Sequence, residues 1–174
     1  MGVGEVGLRA DDSAEYRRFA EAHAAQLFRL AYLLSGNWHE AEDLVQDTLA
    51  KLFVAWRRVR LAENVDAYVR RTLLNTFLAQ RRRKSSGEVP VDEFHDASAV
   101  GVDSDLRMTL TSALRELPPK VRAVVVLRYV EDCSVETVAE TLGLTPSGVK
   151  SAGMRGLARL RELLGAERAH LFQN

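Results

Sequence analysis

The stretch AETLGLTPSGVKSAGMRGL, residues 139–157, has the pattern of a helix, a tight turn and a second helix. Gly143 can adopt the left-handed backbone conformation that a tight turn requires. Ala139 has a side chain small enough to let the second helix cross closely, and Val149 is placed to lock the two helices together. We therefore predict a helix-turn-helix over residues 134–154, since an ordinary helical hairpin would not need all of these features at once.

The ends of both helices carry favourable residues. Ser134 and Thr145 are good N-caps, and Pro146 suits the first position of a helix. The first turn of the second helix offers free amides to a phosphate, and an arginine can grip guanine with two hydrogen bonds. That helix would also expose Met154. The residues that we predict to contact DNA are Thr145, Ser147, Gly148, Lys150, Ser151 and Arg155.

Three glycines in the second helix act against its stability. Gly148, Gly153 and Gly156 should each weaken the helix by roughly 1 kcal/mol relative to alanine. Gly148 lies where backbone can approach a phosphate, whereas Gly153 and Gly156 offer no side chain to the DNA. The sequence thus predicts that this helix alone binds DNA with modest affinity.

The 174 residues have a net charge of zero, but the charges are segregated along the chain. Residues 15–84 sum to +5, residues 85–105 to −6 and residues 106–164 to +3. Two basic blocks joined by an acidic connector indicate a polyanionic partner that is contacted at two places.

Several classes of protein are disfavoured by what the sequence lacks. No apolar run approaches the roughly 20 residues that span a bilayer, and no export signal is visible, so we expect a cytoplasmic protein without membrane insertion. The single Cys133 excludes an intramolecular disulfide. The four histidines are scattered, so we expect no metal, no cofactor, no small-molecule substrate and no enzymatic activity.

Apolar residues recur at intervals of three and four along the chain, which predicts helices throughout. Residues 85–105, SSGEVPVDEFHDASAVGVDSD, lose this period and have the composition of a flexible linker. The predicted fold is all-α, with two small helical domains at 15–84 and 106–164, an N-terminal extension at 1–14 and a C-terminal tail at 165–174. The predicted helices cover residues 14–34, 39–59, 65–84, 106–117, 119–130, 134–142 and 146–164.

The helix over residues 65–84 combines basic, amide and aromatic side chains on one side. Arg71, Asn75 and Arg82 lie within about 40° of one another at 100° per residue, and Tyr68 and Thr72 flank them. Such a mixture suits single-stranded nucleic acid, with the ring stacking on an unpaired base, the amide reading its edge and the arginines holding phosphates. Tyr68 fits a place in the core equally well.

Polar residues form a patch on the preceding helix. Asp43, Gln46 and Asp47 recur at i, i+3 and i+4, so they share one face. On its own, this pattern is typical of a solvated helix surface.

Three segments in this order resemble the sigma-70 superfamily, in particular its compact extracytoplasmic-function group. AEDLVQDTLAKLFVAW (41–56) is similar to region 2.2, and NVDAYVRRTLLNTFLAQRRRK (64–84) to regions 2.3 and 2.4. Residues 117–163 resemble region 4, and the acidic linker stands where region 3 is absent.

The resemblance implies an initiation factor for RNA polymerase. It implies that Asp43, Leu44, Gln46 and Asp47 contact the core enzyme, whose clamp helices and flap are the expected docking sites. It further implies that Asn75 contacts a flipped-out base of the −10 element, and that the second helix of the helix-turn-helix reads the −35 element. Such factors are often held by an anti-sigma factor, which is therefore a further candidate partner.

Two positions depart from the family, and two other functions compete with this interpretation. Many relatives carry Arg in place of Ala152 and a bulkier residue in place of Gly153, so we expect fewer side chains here to reach bases.

A free-standing helix-turn-helix repressor would explain residues 134–154 but not the two preceding helices. A small enzyme acting on nucleic acid would need a cluster of acid–base or metal-ligating residues, which the sequence does not offer.

Overall fold

The computed structural model describes residues 10–87 and 102–165, and these form eight α-helices and no strand. The predicted N-terminal extension, linker and tail lie largely outside these ranges. The predicted all-α fold is confirmed. The helices are α1 (Ala10–Ser35), α2 (Trp38–Val54), α3 (Trp56–Val59), α4 (Val65–Ser85), α5 (Val102–Arg115), α6 (Pro119–Val125), α7 (Val135–Leu142) and α8 (Pro146–Leu164).

The boundaries of α7 and α8 agree closely with the prediction, whereas four other predicted boundaries were wrong. The helix predicted over 39–59 breaks at Ala55, which separates α2 from α3. Helix α1 begins at Ala10, inside the predicted extension, with Asp11 and Asp12 in its first turn, where acids favour the helix dipole. Helix α5 begins at Val102, inside the predicted linker. The helix predicted over 119–130 changes after α6 into a π-helical turn, Val126–Val130.

Helices α1–α4 pack around an apolar centre at which α1 meets α2 and α4. Trp56 is buried against the rings of Tyr16 and Phe19, at centroid distances of 5.3 and 4.9 Å. Trp38, in contrast, is 48% exposed and packs on Phe28 alone among the aromatic rings described. The largest side chains that are fully buried in this part are those of Leu34, Leu44, Leu52, Leu73, Leu74 and Phe77.

Helices α5–α8 form a second centre, in which α8 packs closely on α6. A Cβ on Gly156 would stand well inside van der Waals contact with Val125 Cγ2, and 3.0 Å from Val121 Cγ1. Gly153 also faces this centre and is buried. Both glycines face α6 and the π-helical turn and allow the close approach of the helices, a packing function that the sequence analysis did not predict.

The two groups of helices contact each other through α1 and α4 on one side and α5, α6, α7 and the π-helical turn on the other. The buried Arg122 of α6 crosses this boundary and donates a hydrogen bond to the Leu34 carbonyl at the end of α1. Arg29 of α1 pairs at 3.6 Å with Glu131, whose side chain is only 7% exposed. The two predicted groups of helices therefore contact each other directly, through packing, a hydrogen bond and an ion pair.

Glu40 clamps the start of α2 to the end of α4. Its two carboxylate oxygens accept hydrogen bonds from Arg81 Nη2 and Lys84 Nζ, both at 2.6 Å. Burial acts to raise the pKa of Glu40, but the hydrogen bond from Lys84 and the charge of Arg81 outweigh it and lower the pKa below its usual value of 4.5. The ion pairs thus stabilise the charged carboxylate in the folded protein.

We predict that Gly156→Ala destabilises the protein by about 1–3 kcal/mol, because overpacking against Val125 outweighs the roughly 1 kcal/mol gained in helix propensity. Urea unfolding should measure this loss. Arg159→Ala on the exposed side of α8 is the control and should change the stability by less than about 0.5 kcal/mol. A Gly156→Ala protein more stable than the wild type would contradict the packing argument.

We predict that Glu40→Gln lowers the free energy of unfolding at neutral pH by up to about 1 kcal/mol, the scale of a partly exposed ion-pair network. A folded-state pKa that lies below the unfolded value adds stability above the unfolded pKa, and this stability is lost as the pH falls through the folded pKa. The difference from the wild type should therefore vanish in acid.

Urea unfolding across a pH series tests this expectation. Glu42→Gln is the matched control in the same helix, because Glu42 is exposed and, among the described residues, pairs with His39 alone, at 3.9 Å. A constant offset between Glu40→Gln and the wild type at every pH would rule out the proposed ionic origin.

Candidate nucleic-acid interface

The helix-turn-helix has the local geometry that its sequence predicted. Gly143 takes the left-handed conformation, with φ at 62°. The Ser134 hydroxyl accepts a hydrogen bond from the Thr137 amide at 3.0 Å, and the Thr145 hydroxyl accepts one from the Gly148 amide at 3.1 Å. Both helices thus begin at a side-chain cap, and the turn between them is fixed by its glycine.

One side of α8 is open to solvent. Lys150 and Arg155 on this side make no ion pair with any residue in the described ranges. Met154 lies between them along the helix and is 71% exposed, although it was not among the predicted contacts. Of the predicted DNA contacts, Gly148 is half-buried, and the exposed ones are Thr145, Ser147, Lys150, Ser151 and Arg155.

The two departures from the family pattern lie on the opposite side of α8. Ala152 is only 6% exposed, and Gly153 is buried beside it. Neither position faces the open side of the helix. In this protein both residues belong to the packing of α8. The expectation of fewer base contacts stays a prediction.

Helix α4 presents a second open surface. Arg71, Asn75 and Arg82 are all exposed, while Tyr68 and Thr72 beside them are half-buried. The Thr72 hydroxyl donates to the Tyr68 carbonyl at 2.9 Å, so it is engaged within the helix. The Asn75 amide makes no hydrogen bond to a residue of the described ranges, which leaves its donors and acceptor available to a partner.

The four basic residues at the end of α4, residues 81–84, form two pairs with different surroundings. Arg81 and Lys84 are held by Glu40, and Arg81 also lies 5.4 Å from the centre of the Phe77 ring. Arg82 and Arg83 are exposed and form no ion pair within the part of the chain that the structure describes. Only half of this run is therefore free to meet a phosphate.

The polar patch on α2 lies beside α4. Asp43, Gln46 and Asp47 are exposed, as expected of a docking surface. Leu44 is fully buried in the core, so its prediction as a direct contact was wrong. It supports the patch from beneath.

Side chains of α4 hold this patch in place. Gln80 Nε2 donates to Asp47 Oδ2 at 2.8 Å. Lys51 Nζ donates to Thr76 Oγ1 at 3.0 Å. The patch and the exposed surface around Arg71, Asn75 and Arg82 (the Asn75 surface) therefore lie on neighbouring helices that are joined by side-chain hydrogen bonds, a connection that the sequence pattern did not reveal.

Other kinds of site find no support in the part of the chain that the structure covers. Within residues 10–87 and 102–165, no group of three or more His, Cys, Asp or Glu side chains is arranged to hold a metal ion. Over the same residues, no helix is long and apolar enough to cross a membrane.

Family models match both parts of the chain. Residues 19–87 match sigma-70 region 2, and residues 107–160 match sigma-70 region 4. The RNA polymerase sigma-E factor of Streptomyces coelicolor is 36% identical over 155 residues, which are 87% of this chain and 87% of that protein. The ECF RNA polymerase sigma factor SigE of Mycolicibacterium smegmatis is 33% identical over 162 residues, which are 87% of this chain and 62% of that protein.

A solved structure agrees with these matches. The sigma factor RpoE of Bartonella quintana, in complex with the anti-sigma factor NepR, superposes with a TM-score of 0.71 and 26% identity, over 88% of this chain and 99% of that one. The region 2 match leaves the free-standing repressor without support, since it includes both the α2 patch and the Asn75 surface. The chain belongs to the sigma-70 family of RNA polymerase sigma factors, in the extracytoplasmic-function group.

Proposed function

We propose that this sigma factor binds core RNA polymerase through the α2 patch and starts transcription at promoters that carry a −10 and a −35 element. The observation that carries the proposal is the exposed, unpaired Asn75 amide between Arg71 and Arg82 on α4. An amide can read the edge of an unpaired base, and the two arginines can hold the phosphates on either side. Tyr68, which is half-buried, offers part of its ring for stacking.

The −35 element would be bound as duplex DNA. Helix α8 would enter the major groove with Lys150, Ser151 and Arg155 toward the bases, while its capped N-terminus faces a phosphate. Residues 15–84 would then form the domain for polymerase and the −10 strand, and residues 106–164 the domain for the −35 duplex. Residues 1–14, 85–105 and 165–174 would serve as extension, linker and tail.

The acidic patch is the proposed contact to the polymerase. Asp43, Gln46 and Asp47 would meet a surface of the clamp helices that offers basic and amide groups, and a further contact to the flap would hold the −35 domain. The hydrogen bond from Gln80 to Asp47 supports this assignment, because it holds a carboxylate in position before the partner arrives.

We further propose that the protein acts by binding and not as an enzyme, and that it works in the cytoplasm, where core polymerase and promoter DNA are found. Since the Bartonella quintana relative was solved with the anti-sigma factor NepR, we extend to this chain the expectation of an anti-sigma partner.

Run-off transcription with purified core polymerase tests the proposal, using promoters defined by mapping start sites after overexpression. We expect specific transcripts only when the protein is added. Asn75→Ala should reduce initiation by about tenfold to a hundredfold, because one good amide–base contact contributes about 1–3 kcal/mol. The loss should persist on a template whose −10 region is already unpaired, since the contact is to the unpaired base.

Copurification with core polymerase separates the two roles. Asn75→Ala should bind the core enzyme like the wild type, whereas the triple variant Asp43→Ala, Gln46→Ala, Asp47→Ala should bind it weakly. Glu162→Gln, on the exposed side of α8, is the control for both assays. Duplex binding by the wild type without any transcript in the presence of core enzyme would contradict the proposed function.

A further inference from the structure

Tyr129 lies beside the DNA-reading helix although it is distant from that helix in sequence. It stands in the π-helical turn that follows α6, and it is 36% exposed. Its hydroxyl oxygen is 3.3 Å, and its ring atom Cε2 is 3.8 Å, from the position that a Cβ on Gly153 would take. The ring therefore lies against the backbone of α8 at Gly153, which has no side chain.

The position of Gly153 on α8 shows where Tyr129 lies relative to the open side of that helix. Gly153 is three residues beyond Lys150, so at 100° per residue it lies about 60° around the helix from that lysine. It is thus on the buried side of α8, next to the edge of the open side that Lys150 forms. Tyr129 extends the open surface at its Lys150 edge.

Tyr129 is also held in place. The Arg128 guanidinium lies 5.7 Å from the centre of the Tyr129 ring, and Arg128 Nη1 donates to the Cys133 carbonyl. The Tyr129 hydroxyl itself makes no hydrogen bond to any residue between 10 and 87 or between 102 and 165. A fixed ring with an unused O–H group is a donor prepared for an external acceptor.

The dimensions of DNA identify this acceptor. An α-helix with its side chains is about 10–12 Å wide and fills a major groove about 12 Å wide. Groups that flank the inserted side of the helix, beyond its base-facing residues, therefore meet the phosphate walls of the groove. Tyrosine is among the side chains that commonly bind DNA phosphates.

We propose that the Tyr129 hydroxyl donates a hydrogen bond to a backbone phosphate of the −35 duplex, on the strand that borders α8 at its Lys150 edge. This inference rests on the proposed function of α8. The contact fixes the depth and register of the helix in the groove and is independent of base sequence. Gly153 takes part in it by leaving space for the ring.

Binding of promoter DNA by the full chain, assembled with core polymerase, tests the inference. Tyr129→Phe removes only the hydroxyl and should weaken binding about tenfold, as expected for a hydrogen bond to a charged group. The loss should be the same on −35 elements of different base sequence. The slope of affinity against salt should stay unchanged, because no charge is removed, whereas Lys150→Gln should make that slope shallower.

Gly153→Ala provides a second, independent variant. Its new methyl group would lie 3.3 Å from the Tyr129 hydroxyl, closer than ordinary van der Waals contact, so the hydroxyl would have to shift. We expect a similar loss of affinity, and we expect the double variant with Tyr129→Phe to bind no more weakly than either single variant. Tyr32→Phe is the control, since this half-buried tyrosine of α1 stacks against Phe28 and is distant in sequence from the reading helix.

Replacement of single phosphates by uncharged methylphosphonates locates the contact. A methylphosphonate at one position flanking the −35 element should weaken DNA binding by the wild type and have less effect on binding by Tyr129→Phe. The inference is overturned if Tyr129→Phe binds like the wild type, if its loss depends on the −35 bases, or if the losses of the two single variants multiply. If the wild-type complex shows no dependence on a −35 element at all, the proposed function of α8 fails together with it.

Discussion

The relation between the two halves of this protein depends on one buried guanidinium. Arg122 donates to the carbonyls of Arg115 and Leu117 at 2.9 and 3.1 Å, and to the Leu34 carbonyl at the end of α1. Burial is the main reason that the pKa of Arg122 falls to about 10, and the nearby charges of Arg81 and Arg115 lower it further. The group nevertheless stays charged at neutral pH. Carbonyls at helix ends are suitable acceptors, because the helix dipole is negative there.

A second constraint is the close approach of α8 to α6. The side chains on one side of α8 are exposed to solvent, so the opposite side has to attach the helix to the rest of the protein. Small residues allow this: Gly153 and Gly156 bring the helix backbone against Val124, Val125 and the π-helical turn, and Ala152 is buried on the same side. The propensity lost at the glycines is offset by packing that bulkier residues would prevent.

Features set by neighbouring residues could be predicted from the sequence, whereas features set by distant contacts could not. The caps at Ser134 and Thr145 and the turn at Gly143 follow from local chemistry, and all three have the predicted geometry. The break at Ala55 and the π-helical turn have no local signal that distinguishes them from continuous helix.

The candidate surfaces show the same division. The period of 3.6 residues placed Arg71, Asn75, Lys150 and Arg155 on open sides of their helices, where the structure has them. It could not show that Glu40 engages two of the four basic residues at the end of α4, or that Gln80 reaches Asp47. Those pairs join residues more than 30 positions apart, so only the packing of the helices brings them together.

The distribution of tryptophan has an optical consequence. The chain has two tryptophans, and both lie in the α1–α4 half. Trp38 is half exposed and Trp56 is buried, so the indole emission of the folded protein combines a solvent-sensitive and a shielded component. Far-ultraviolet circular dichroism, in contrast, sums the helices of both halves. Comparing the two signals during denaturation therefore distinguishes two cases. If the halves unfold together, both signals change together; if the helix-turn-helix half unfolds first, the circular dichroism changes before the fluorescence.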